Sequence, residues 1–171
     1  MSNTRAARIV FLVLFIISIV VPLFYFDQLP ERIASHFNTR NQADSWMSKG
    51  SYMIFHYSVI LFFFLLFWGL SFFVPRFPPS LINLPNKEYW LSETRKEKTF
   101  LKLQAMMFWI GNACLALFIY VFYELLNANI NGTGQISSFS WVSILIFLSA
   151  NTFIVIKYVL YFTKKENQSG E

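Results

Sequence analysis

The residues of this chain that could do chemistry are a few polar side chains in and around one polar segment near the N-terminus. Histidine and carboxylate groups are common metal ligands, and carboxylates also attract cationic peptides. The candidate site could therefore bind a metal ion, a cationic peptide or a lipid headgroup, and it consists of His36, Asn38, Asp44, Lys49, His56 and Glu124. The alternative is that these side chains only cap helices and bond backbone groups within a loop.

The spacing of these residues argues against catalysis. Two histidines and scattered carboxylates lack the close spacing of a zinc motif such as His-Glu-x-x-His. The sequence contains no glycine-rich phosphate loop, nucleophile elbow or paired catalytic carboxylates. We therefore expect a non-enzymatic protein without a cofactor, and the identity of any bound metal stays open. The alternatives are a small membrane enzyme or permease, such as a metal-dependent hydrolase, and a scaffold subunit of a membrane complex.

The elements that must position the candidate site are four apolar stretches. Only 13% of the 171 residues are charged and 56% are hydrophobic, whereas a soluble domain carries about 25% charged residues. Each stretch is close to the roughly 20 residues that an α-helix needs to cross a bilayer. The sequence predicts an all-α integral membrane four-helix bundle, a single membrane domain of residues 1–171, with spans at 9–26, 53–74, 103–126 and 139–162. His56 falls in the first turn of the second span and Glu124 in the last turn of the third, so both are expected at the level of the loop that holds the other candidates.

The lysines and arginines predict the orientation of the chain. Ten of them fall before the first span, between the second and third, or after the fourth: Arg5, Arg8, Arg76, Lys87, Arg95, Lys96, Lys98, Lys102, Lys164 and Lys165. The other side has three, Arg32, Arg40 and Lys49, and Lys157 lies just inside the fourth span. Because cytoplasmic loops carry the excess of basic residues, both termini are expected in the cytoplasm. The positive charge is a topology signal, and no nucleic-acid partner is expected.

Two amides lie deep in the apolar stretches. Asn112 and Asn151 fall at a matched depth of about 14–17 Å in the third and fourth spans, at 1.5 Å of rise per residue. Amides at equal depth on neighbouring helices can form an interhelical hydrogen bond. The sequence therefore predicts a contact between Asn112 and Asn151, with Gly111 allowing the helices to approach.

Two sequence blocks resemble a known family. The outer loop, residues 27–52 between the first two spans, contains Leu-Pro-Glu-Arg-Ile-Ala-Ser-His-Phe-Asn at 29–38, followed by Asp44 and Lys49. It resembles the Leu-Pro-x-x-Ile-Pro-x-His-Phe-Asn signature of a bacterial membrane domain of unknown function. That domain also forms the N-terminal part of SdpI-type immunity proteins. The inner loop, residues 75–102 between the second and third spans, is similar to a second block of that family, and its motif residues are Asn83, Pro85, Asn86, Lys87, Tyr89 and Trp90.

The chain departs from the family pattern at two positions of the outer loop. Ala34 replaces a second proline, which would free residues 31–38 to form a short helix beginning at Pro30. Asn41 replaces a turn glycine, and asparagine tolerates the left-handed conformation that such a turn requires. On the inner side, residues from Ser92 onward predict a charged helix that runs into the third span as its cytoplasmic extension, with Ser92 as N-cap.

The resemblance implies a function. It suggests a multi-pass protein of a bacterial cytoplasmic membrane that belongs to an immunity-associated family, whose outer loop recognises an extracytoplasmic ligand such as a toxin peptide. It also implies a cytoplasmic protein partner at the basic inner loop, beside the lipid bilayer itself. The C-terminal SdpI region is not found after the fourth span.

Overall fold

The computed structural model describes residues 2–164 and is mostly helical. These residues include four helices long and apolar enough to cross a membrane, and they cover the four predicted spans. Lys165, counted above with the basic residues, lies outside the described part. The elements in chain order are helix α1 (Ser2–Tyr25), strands β1 (Arg32–Phe37) and β2 (Ala43–Ser48), and helices α2 (Lys49–Phe73), α3 (Lys87–Trp90), α4 (Lys96–Ile130) and α5 (Phe139–Thr163).

The first loop does not form the predicted short helix. Residues 32–37 are strand β1, which pairs with the antiparallel strand β2 in a two-stranded hairpin, so the all-α prediction is also wrong here. The chain reverses at Asn38, whose side-chain Oδ1 accepts the amides of Arg40 and Gln42 at 2.8 and 3.1 Å. Asn41 adopts a φ of 61°, so its predicted left-handed turn is confirmed. The helical prediction failed because it did not include the second strand, which pairs with the backbone hydrogen-bonding groups of the first.

The N-terminal extension of the third span is confirmed, but its cap is not. Helix α4 begins at Lys96, well before the apolar stretch. Ser92 is not the N-cap: its hydroxyl donates to the carbonyl of Tyr89, and its own carbonyl accepts the amides of Arg95 and Lys96. The four residues before Lys96 form turns, so the charged segment is shorter as a helix than the sequence predicts.

Helix α4 lies at the centre and packs against α1, α2 and α5. Around the middle of the helices, Phe11 of α1, Ile60 and Phe67 of α2, and Phe108 and Leu115 of α4 form one buried cluster. Most of the large apolar side chains of α5 are exposed, as expected for a helix that faces lipid. Two further clusters lie at the two ends of the helices, and they hold the loops described below.

The two intramembrane amides do not pair with each other. The Asn112 amide donates to the carbonyl of Ala7 in α1 at 3.1 Å, and the Asn151 amide donates to Phe147 in its own helix at 2.8 Å. The predicted contact is therefore wrong, because equal depth does not place two side chains on facing sides of their helices. Asn112 still links two helices, α4 and α1, and Gly111 allows a close approach of α4 to Phe11 and Phe67.

Candidate functional site

The hairpin of β1 and β2 is fixed to the end of α4. The side chain of Asn129 accepts the Ala34 amide at 2.7 Å and donates to the Ala34 carbonyl at 3.0 Å, as a neighbouring strand would. Its Nδ2 also donates to the carbonyl of Leu125, one turn earlier in α4. A proline at position 34 would have no amide hydrogen to donate, so the alanine found here permits the bond to Asn129.

The loop between α4 and α5 holds the other strand. The amide of Ala43 donates to the carbonyl of Gly134 at 2.8 Å, and the amide of Ile136 donates to the carbonyl of Asn41 at 3.0 Å. Below the hairpin, Leu29 and Ile33 pack in a buried cluster with Tyr52 of α2 and Phe122 of α4. The hairpin is thus attached through both strands and through its apolar underside, and it closes one end of the helices. We call this end the hairpin end.

His36 and Asp44 form an exposed pair on the hairpin. The Nδ1 atom of His36 lies 2.5 Å from Oδ1 of Asp44, and the two side chains are 69% and 42% exposed. Trp46, on the same strand as Asp44, leaves 49% of its surface exposed. These three side chains present an imidazole, a carboxylate and an indole to the surroundings while the backbone beneath them is fixed.

Asn38 and Lys49, the other candidates of the loop, act on the hairpin itself. Asn38 bonds the turn, as described above. The ammonium of Lys49 lies 3.1 Å from Glu31 and 3.2 Å from the carbonyl of Leu29, and it is 4.6 Å from the centre of the Phe26 ring. Lys49 therefore ties the first residue of α2 to the segment that leaves α1.

His56 and Glu124 are buried and have partners of their own. The Nε2 atom of His56 is 3.0 Å from the carbonyl of Ser18, so His56 joins α2 to α1. Glu124 accepts the Tyr120 hydroxyl at 2.9 Å and the Ser137 amide at 2.7 Å, which connects α4 to the start of α5. Only His36 and Asp44 of the candidate set contact each other. Within residues 2–164, no three His, Cys, Asp or Glu side chains come together in a group that could hold a metal ion.

The inner-loop motif binds the last turn of α5 at the opposite end of the molecule. The Asn86 side chain donates to the carbonyls of Phe162 and Thr163 at 3.2 and 2.9 Å, and the Trp90 indole donates to Phe162 at 2.7 Å. These bonds satisfy carbonyls that the last turn of α5 leaves without helical partners. Asn86 has a left-handed φ of 50°, which turns the chain into α3. We call this end, which carries the Arg and Lys residues of the inner loop, the basic end.

The remaining motif residues surround this contact. Asn83 and Pro85 are exposed on either side of the buried Leu84, and Lys87 is the first residue of α3. The Tyr89 ring lies 4.2 Å from the guanidinium of Arg95. Sequence reasoning identified this block but not its partner, α5. It missed Asn129 altogether, although three asparagines at 127, 129 and 131 mark the end of this apolar helix and such amides often bond a neighbouring backbone.

Four membrane-crossing helices with polar loops at both ends define a multi-pass membrane protein. Residues 13–62 match the model of a family described as Domain of unknown function (DUF1648). The match covers much of α1, the whole hairpin and the first half of α2, so the resemblance of the outer loop to such a domain is supported there. No curated protein and no solved structure matches the chain significantly.

Proposed function

We propose that this chain is a non-enzymatic protein of a bacterial cytoplasmic membrane whose hairpin recognises an extracytoplasmic ligand, such as a membrane-active peptide toxin. The observation that carries the proposal is the exposed His36–Asp44 pair, with the exposed Trp46 on the same strand as Asp44, on a hairpin fixed through both of its strands. A fixed backbone lowers the entropy cost of binding. Exposed side chains on such a backbone are suited to recognition more than to holding the fold together.

The chemistry of the exposed side chains favours a peptide with cationic and apolar groups. The Asp44 carboxylate can accept a charge-assisted hydrogen bond from lysine or arginine. An indole such as that of Trp46 offers a large apolar contact area, and tryptophan is enriched among residues that dominate binding energy. The similarity of the loop to the outer loop of SdpI-type immunity proteins supports the same class of ligand.

The charge distribution supports the orientation that this function requires. Among residues 2–164, nine of the ten basic residues counted above lie at the basic end and three lie at the hairpin end, which favours a cytoplasmic basic end and an outward hairpin. By analogy with the immunity-associated family, the charged segment from Lys87 to Lys98 is proposed to contact a cytoplasmic protein partner.

Growth inhibition tests the function. In a strain that lacks the gene, we expect the inhibitory concentration of at least one cationic membrane-active peptide to fall by roughly tenfold, equivalent to about 1.4 kcal/mol of binding. The wild-type gene restores resistance, whereas a gene with His36→Ala and Asp44→Ala, produced at the same membrane level, does not. Resistance is measured with a panel of cationic and anionic peptides.

A control is available outside both the hairpin strands and the Lys87–Lys98 segment. Arg5 and Asp27 are exposed there, so Arg5→Ala with Asp27→Ala also removes one basic and one acidic side chain and should leave resistance unchanged. Unaltered sensitivity of the deletion strain across the panel would contradict the proposed function. Full protection by the double hairpin variant would contradict the assignment of the ligand to His36 and Asp44.

A further inference from the structure

A large pocket opens at the basic end, and α2 contributes none of its lining residues. Its volume is about 560 Å³, and it is bounded by the last three turns of α5 and the residue that follows them, the start of α4 and the first turn of α1. The proposed ligand of the hairpin would bind at the other end of the molecule. This pocket therefore needs an explanation of its own.

Three ammonium groups from two helices line the pocket. Lys102 belongs to α4, and Lys157 and Lys164 come from α5 and the residue that follows it. None of the lining residues is acidic, and within residues 2–164 none of these lysines forms an ion pair with a carboxylate. Three cations around one cavity repel each other, and an anion placed between them would relieve that repulsion.

The rest of the lining consists of Asn3, two tyrosines and three apolar side chains of α5 that would face the bilayer. Phe153, Ile156 and Leu160 of α5 contribute to the wall and are 67%, 51% and 56% exposed. Lys157 lies about 9 Å before the end of α5, at 1.5 Å per residue, whereas Lys164 follows that end directly. The positive charge thus extends from the membrane surface to below the headgroup level, directly above side chains that would contact acyl chains.

We infer that this pocket binds one anionic phospholipid. The phosphate lies among the ammonium groups of Lys102, Lys157 and Lys164, and an acyl chain lies along Phe153 and Ile156. Basic pockets between membrane helices bind acidic headgroups in this manner. A lysine that merely extends toward the membrane surface would explain Lys157 alone. It would not explain why Lys102, on another helix, extends into the same cavity, where its ammonium lies 4.5 Å from the centre of the Tyr161 ring.

Native mass spectrometry of the purified full chain tests the inference. The protein in detergent is titrated with dioctanoyl phosphatidylglycerol, with phosphatidylcholine of the same chain length and with inorganic phosphate. We expect one phosphatidylglycerol to bind with clear preference over the other two. Replacing the three lysines by glutamine should weaken binding on the order of a hundredfold, at about fivefold per basic side chain. Lys157→Gln alone should weaken it about fivefold, which keeps the test valid if the triple variant is poorly folded.

A control variant distinguishes binding in the pocket from nonspecific attraction of an anionic lipid to the positive charges of the basic end. Arg5→Gln, Lys96→Gln and Lys98→Gln remove the same charge from exposed positions at the same end that do not line the pocket. They should weaken binding by less than about threefold, because solvent and salt screen exposed charges that do not contact the ligand. Equal losses in both triple variants would overturn the inference, because they would indicate diffuse attraction. Phosphate that binds as well as phosphatidylglycerol would also overturn it, because it would indicate a site for a soluble anion.

Discussion

Replacing Trp90 by alanine is expected to lower the free energy of unfolding by about 3–5 kcal/mol, the usual cost of truncating a buried tryptophan. The side chain is only 6% exposed, and its ring lies 5.4 Å from the ring of Phe162. Its indole nitrogen donates to the Phe162 carbonyl at 2.7 Å, and its backbone carbonyl accepts the Thr99 hydroxyl at 2.8 Å. Thermal or denaturant unfolding of the detergent-solubilised protein, followed by circular dichroism, measures the change.

The Trp90→Phe variant separates the contribution of the indole hydrogen bond from the contribution of ring packing. Phenylalanine keeps an aromatic ring between the inner loop and α5 but cannot donate to Phe162, so a cost near 1 kcal/mol is expected from the lost hydrogen bond, with a further contribution from the smaller ring. A loss below 1 kcal/mol for Trp90→Ala would contradict the contact between the inner loop and α5. Equal losses for both variants would show that ring packing contributes little.

Gly111→Leu is expected to destabilise the protein by about 3 kcal/mol, the upper end of the usual cost of overpacking a core. A Cβ atom at this position would lie 2.8 Å from Phe11 and 2.9 Å from Phe67, closer than side-chain carbons approach. The larger leucine side chain would force α4 away from α1 and α2 at the centre of the molecule. The hydrogen bond from Asn112 to Ala7 would lengthen as a result.

Gly69→Leu is the matched control within α2. No atom lies within 4 Å of the Cβ position there, and replacing an unpacked helical glycine removes a penalty of about 0.8–1.0 kcal/mol. Unfolding measured side by side should therefore show destabilisation for Gly111 and none for Gly69. Similar behaviour of the two variants would contradict the close packing of α4 against α1 and α2.

The helices could be predicted from the sequence because a single physical requirement fixes them. A bilayer has no water to satisfy backbone groups, so an apolar run of sufficient length forms a helix. The hairpin, in contrast, forms only when the segments of β1 and β2 pair with each other. Residues 31–38 considered alone are compatible with a helix, and only the turn at Asn38 and Asn41 brings Ser45 and Trp46 beside them.

For the candidate site, the sequence predicted the depth of each residue in the membrane but not which side chains would meet. Position along a helix gives the depth of a residue, and it placed His56 and Glu124 near the level of the outer loop. Depth does not give the side of the helix on which a residue lies. For this reason His56 bonds Ser18, Glu124 bonds Ser137, and Asn112 and Asn151 do not meet. Only His36 and Asp44 pair, because the hairpin brings their two strands together.

The proposed function requires that the hairpin faces the outside of the cell and that the basic end faces the cytoplasm, and cysteine labelling tests this orientation directly. Ser45 on the hairpin and Ser80 in the inner loop are both exposed, and serine-to-cysteine changes are small. In a Cys114→Ala background, intact cells that produce the Ser45→Cys or the Ser80→Cys variant are treated with a membrane-impermeant maleimide. We expect labelling of the Ser45→Cys variant in intact cells and of the Ser80→Cys variant only after the membrane is opened. Labelling of the Ser80→Cys variant in intact cells, with the Ser45→Cys variant protected, would contradict the orientation and with it the proposed recognition of an external ligand.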